Sequence, residues 1–149
     1  MKKMNLLTFL AIIFLLTACS SSDSSNAAGA IKTMYKAALN HDVETFTRMV
    51  SDDVMDYYNP EDSMEDLRET INEAGGLAEL KVLEISKDKL NEEMVKSFSE
   101  EFQNNWHFVV QDINQDEFLC WILVKGDRYY QVIYVEDLSQ DEFLKESKK

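Results

Sequence analysis

The first strong pattern along the chain is an apolar run from Leu6 to Leu16, broken only by Thr8 and preceded by Lys2 and Lys3. Such a run is too short to cross a bilayer comfortably as a helix, so with its basic start it reads as a cleavable export signal over residues 1–18. A polar, low-complexity stretch follows, Ser20 to Asn26. It cannot bury enough apolar surface to order itself and reads as a tether over residues 19–26. Residues 27–149 are expected to fold as a single domain.

Inside that domain the apolar positions first take helical spacing. Ile31, Met34, Tyr35, Ala38 and Leu39 predict a helix from about Ala27 to Asn40. Asp42 is placed to cap a second, shorter helix with Val43, Phe46, Met49 and Val50 on its apolar face. Asn59 at a cap position, Pro60 at the first helical position and Glu61-Asp62 in the first turn mark a third start. Met64, Leu67, Ile71 and Ala74 continue its apolar face, and Gly75-Gly76 ends it.

The period then changes. Leu80, Val82 and Ile85 sit in an extended run, and Trp106–Ile113, Phe118–Val124 and Arg128–Val135 are rich in aromatic and β-branched residues. Asn114 to Asp116 and Gly126 mark the turns between the last three. Leu90, Met94, Phe98 and Phe102 recur every four residues and predict a helix over 88–103, while Ser139-x-x-Glu142 is a capping box for a C-terminal helix. Helices followed by an antiparallel meander of at least four strands predict an α+β fold with helices on one face of a curved sheet.

Composition sharpens the picture of partners. The chain has 28 acidic against 15 basic side chains, and two of those basic ones, Lys2 and Lys3, go with the signal. Such an excess disfavours nucleic acid and anionic lipid surfaces. With Cys19 and Cys120 as its only thiols, the chain offers no disulfide framework. Leu16-Thr17-Ala18-Cys19 resembles a bacterial lipobox, which implies diacylation of Cys19 and cleavage before it. The implied location is the cell envelope, anchored through lipid to a membrane. No Asp follows Cys19 directly, which favours the outer membrane over the inner where the host has two.

A second resemblance rests on Ala38-Leu39-Asn40-His41-Asp42-Val43-Glu44, Ser51-Asp52-Asp53-Val54, Glu73-Ala74-Gly75-Gly76-Leu77 and Gly126-Asp127-Arg128-Tyr129-Tyr130-Gln131-Val132. Together these resemble the nuclear transport factor 2-like (cystatin-like) superfamily over about residues 27–136, and within it the small bacterial envelope lipoproteins. His41 stands where that family usually has glycine, and the 88–103 helix replaces a plain hairpin. The superfamily includes isomerases, dehydratases and cyclases that use Asp, Tyr and His in a conical apolar pocket, and many of its members dimerise through the sheet.

The residues available for such chemistry are few. His41 lies between two helices, where a solvated or capping role is expected. His107 lies in a strand where Trp106, Phe108, Val110 and Asp112 share one face and His107, Val109 and Gln111 the other. An Asp112–His107 dyad is therefore disfavoured, and a partner for His107 has to come from another element. Asp112 to Glu117 echoes half of a calcium loop, but Glu117 and Leu123 occupy the positions that need Gly and Glu. Cys120 falls in a run buried on both faces and reads as core. No cofactor or metal site is expected. The aromatic set suggests a pocket or interface of Trp106, His107, Phe108, Trp121, Tyr130 and Tyr134. The domain is read as a non-catalytic binding module for a small apolar ligand or a protein partner. The alternatives are an isomerase or dehydratase in the same pocket and a module that dimerises through the sheet.

Overall fold

The computed structural model describes residues 26–114 and 117–147. Cys19, the signal segment and most of the tether lie outside them, as do residues 115 and 116 of the expected turn. Helix α1 spans Ala27–Leu39, α2 Val43–Arg48, α3 Asp52–Met55 and α4 Pro60–Glu73. Strand β1 is Lys81–Ile85, followed by α5 Glu92–Phe102, β2 Trp106–Asn114, β3 Glu117–Lys125, β4 Tyr130–Ser139 and α6 Gln140–Glu146. The strands pair antiparallel in the order β1-β2-β3-β4, which makes the fold α+β with a meander.

The local signals work through identifiable hydrogen bonds. Asn59 Oδ1 accepts from the N–H groups of Glu61 and Asp62, at 2.9 and 3.4 Å, ahead of Pro60. At the far end of α4, Gly75 N–H donates to Asn72 O and Gly76 N–H to Ile71 O. This reciprocal pattern needs a left-handed residue, and Gly75 supplies it with φ 85°. His41, where the resemblance expects glycine, takes the same left-handed region at φ 53°. Beside it the Arg68 guanidinium donates at 3.1 Å to Ala38 O, which also accepts the His41 N–H at 3.3 Å. The short helix α3, capped by Ser51, and the 3-10 turns before β1 and α5 are additions to the expected elements.

The sheet has a core on each side. On one, Ile31, Met34 and Tyr35 of α1 and Met64, Leu67 and Ile71 of α4 pack against Val109, Trp121, Leu123 and Val132. On the other, Leu90, Trp106, Phe108, Val110, Cys120 and Ile122 are covered by Met94, Val95, Phe98 and Phe102 of α5 and Phe143 of α6. The expectation of helices on one face is corrected: helices cover both. The physical reason is that β2 and β3 are apolar on both sides, and the second side needs a lid as much as the first. The α5 helix itself is present, shorter than expected and started by Asn91, whose Oδ1 accepts from Met94 N–H at 2.8 Å.

Candidate functional site

The strand alternation that builds two cores divides the expected aromatic set between them. Trp106, Phe108 and Tyr134 fall on the α5 face, and His107, Trp121 and Tyr130 on the α1 face. They do not converge on one pocket. Trp106 is fully buried, with its indole N–H donating to Ser99 Oγ at 3.1 Å and the Lys87 ammonium 4.4 Å from its ring centroid. It is core, with its polar atom satisfied.

His107 does acquire a carboxylate. Glu84 lies on β1 opposite Val109, on the same face as His107, and its Oε1 is 2.7 Å from His107 Nδ1. The imidazole also meets the edge of Tyr130, ring centroids 5.1 Å apart. Burial and the nearby Glu84 carboxylate push the Tyr130 phenol above its ordinary value. Yet the pair is partly exposed, and neither His107 nor Glu84 lines either of the cavities beside β4. His41 is exposed, with Nδ1 3.5 Å from the Arg68 guanidinium.

Two cavities flank β4. The first lies on the α1 face, about 390 Å³, between the sheet and the N-terminal helices. Met34, Phe46, Val54, Leu67, Leu119 and Trp121 are among its apolar members, and Ser63, Asp66, Thr70, Glu136 and Asp137 are among its polar ones. Behind it lies a polar cluster in the core. The Tyr35 hydroxyl donates to Gln111 Oε1, and Tyr35 meets the Trp121 indole edge-on with centroids 6.4 Å apart. Burial pushes the Tyr35 phenol far above its ordinary value, so it stays a donor. Two donors in this cluster have no partner among the described residues: Gln111 Nε2 and Trp121 Nε1. Gln111 is completely buried and Trp121 is 4 % exposed. Buried donors left open cost about 1–3 kcal/mol each, so native structures seldom leave them so.

The second cavity, about 460 Å³, lies on the α5 face. Phe98, Phe108, Cys120 and Ile122 form its floor, and Glu93, Glu136, Glu142 and Lys145 its polar members. Tyr134 donates to Glu136 Oε2 at 2.8 Å, and burial with the adjacent carboxylate pushes its phenol up to about 12. Cys120 is buried in this floor, in keeping with its reading as core. Among the described residues no three His, Cys, Asp or Glu side chains gather as metal ligands. None of the described helices is long and apolar enough to cross a membrane.

The cluster of Tyr35, Gln111 and Trp121 was not singled out by sequence reasoning. Its one signal was a glutamine on the same strand face as Val109, a polar residue where the pattern calls for an apolar one. Compared with known proteins, the chain matches no family model, no curated protein and no solved structure.

Proposed function

We propose that the domain binds a small apolar ligand in the α1-face cavity, and that Cys19 carries the lipid which holds it in the bacterial envelope. The observation that carries the binding reading is a largely apolar chamber with Trp121, whose buried indole N–H has no partner among the described residues, in its wall. A volume of about 390 Å³ falls in the range of small-molecule sites, which are mostly apolar with a few fixed polar groups. A ligand with an apolar body gains from burial against these walls. The acidic members Asp66, Glu136 and Asp137 select against an anionic ligand.

Helices followed by an antiparallel meander are compatible with a nuclear transport factor 2-like domain, a reading supported by the resemblance of the short motifs. The enzymatic alternative draws its support from that resemblance alone. The position of His107 and Glu84 outside both cavities beside β4 weighs against it.

Nile red, a neutral dye with a carbonyl acceptor, tests the cavity. The exported chain carrying Cys19→Ser, and so free of lipid, is expected to bind it with a blue shift in emission. Leu119→Trp, which projects an indole from the chamber wall, should weaken binding at least about tenfold while the far-ultraviolet circular dichroism stays the same. Undiminished binding by that variant rules the chamber out. The anchor is tested separately: the native chain should yield a diacylated Cys19 at its mature N-terminus by mass spectrometry, and cleavage elsewhere would refute it.

A further inference from the structure

The α1-face cavity is graded from its floor to its opening. Its buried members are all apolar: Met34, Phe46, Val50, Leu67, Trp121 and Val132. Its three carboxylates, Asp66, Glu136 and Asp137, are exposed. Two elements supply them. Ser63, Asp66, Leu67 and Thr70 recur at helical spacing along one flank of α4, and Val135 and Asp137 alternate along β4. An apolar floor thus opens through an acidic rim, which Tyr58, 52 % exposed, shares.

That rim has no cation of its own. Among the described residues no lysine, arginine or histidine lines the cavity, and none forms an ion pair with the three carboxylates. Glu136 accepts from the Tyr134 hydroxyl, a neutral donor that leaves its charge in place. The field of the rim also reaches inward: burial and the Asp137 charge both raise the Tyr35 phenol behind the chamber. Negative charges gathered around one opening repel one another, and a cation placed among them offsets that repulsion.

We propose that the α1-face chamber takes a cationic amphiphile, its apolar body seated on the buried floor and its single ammonium group held at the rim of Asp66, Glu136 and Asp137. The proposal rests on this cavity being a binding chamber and names the chemical class of its ligand. Burial of the apolar body supplies most of the affinity. The rim supplies the selectivity: a neutral homologue is held by the floor alone, and an anionic one is repelled. One exposed ion pair adds little, so the preference depends on the carboxylates acting together. The Tyr58 ring assists them, because aromatic faces attract ammonium groups. Salt screens the rim and leaves the floor as it was.

The test uses the exported chain with Cys19→Ser and three probes that share an octyl-type chain and differ in the head: octylammonium, 1-octanol and octanoate. Each competes with Nile red, read by the emission of the dye. At low salt octylammonium should displace the dye at a concentration at least about fivefold below that of octanol, with octanoate the weakest. Sodium chloride at about 0.3 M should narrow the gap. Asp66→Asn with Asp137→Asn should bring octylammonium to within about twofold of octanol, circular dichroism reporting the fold. Should that pair unfold the chain, Asp66→Asn alone must narrow the gap. The general field of a chain of formal net charge −13 would survive these changes, so a full preference that persists in the folded variant overturns the rim. Failure of octylammonium to compete, or competition no better than that of octanol, also overturns it and leaves the chamber to the dye. A protein that binds neither Nile red nor any of the three probes loses the chamber and this proposal together.

Discussion

On the α1 face Ile31, Tyr35, Val109, Leu123 and Val132 are all at most 1 % exposed, whereas on the α5 face the covering helix has no fully buried residue of its own. Both faces belong to the same four strands. The difference lies in the lids. Helix α1 is rich in small buried residues, Ala27, Gly29, Ala30, Ala37 and Ala38, which let its backbone approach the sheet closely. Helix α5 rests on Trp106 through Phe98, with ring centroids 5.4 Å apart, and leaves Met94 and Val95 half-buried. One face is thus a sealed core with a polar cluster inside it. The other is a lighter clamp over a hollow that holds Glu93, Glu136, Glu142 and Lys145. Stability is expected to come mainly from the first, and it is there that Trp121, with its open indole N–H, stands in the wall of a chamber.

The largest effect should separate the two cores. Leu123→Ala on the sealed face is expected to lower the unfolding free energy by about 3 kcal/mol, and Val95→Ala in the α5 lid by about 1 kcal/mol. Denaturant midpoints at constant slope report both. Equal losses would break the comparison.

The next effect probes the cluster within the sealed core. Tyr35→Phe strips Gln111 Oε1 of its donor and should cost about 1–2 kcal/mol. Adding Gln111→Leu removes the stranded amide, so the double variant is expected to recover most of that loss. A double-mutant cycle with no coupling would contradict the hydrogen bond between them.

A smaller effect uses pH to compare the two tyrosines. Both phenols are raised above the ordinary value of 10.0, Tyr35 by burial and Tyr134 by burial with Glu136. A raised acid keeps its proton in the fold after the unfolded chain has lost its own. Stability is then intact below about pH 10 and falls as pH rises through the folded value, about 12 for Tyr134. Tyrosinate absorbance should show both among the last to ionise, and Tyr134→Phe should remove the earlier of these late steps. Ordinary titration of Tyr134 near 10 would place it in open water and undo the account of its environment.

How far the sequence exposes these features depends on distance along the chain. The Asn59-Pro60 start, the Gly75-Gly76 stop and the Ser139 capping box act within a few residues, and each is readable where it stands. The burial of Phe118 to Val124 on both sides was readable too, although the lid that burial requires, α5, has to be matched to it across the turn before Trp106. Pairs that depend on register were hidden. Glu84 meets His107 only because β1 and β2 align as they do, 23 residues apart in the chain. Tyr35 and Gln111, 76 residues apart, required the packing of α1 on the sheet. The aromatic set was legible as a list and misleading as a site, because strand alternation sends Trp106 and Trp121 to opposite faces.

Those two tryptophans supply the most direct test of the central claim. Trp106 Nε1 donates to Ser99 Oγ, while Trp121 Nε1 has no partner among the described residues. Each gives its own indole N–H signal in a nitrogen-15 correlation spectrum, assigned by Trp106→Phe. On titration with Nile red, the Trp121 signal is expected to move as the dye packs against the indole in the chamber wall, and the Trp106 signal to stay in place. Movement of Trp106 alone, or of neither while the dye is bound, would contradict a ligand chamber on the α1 face.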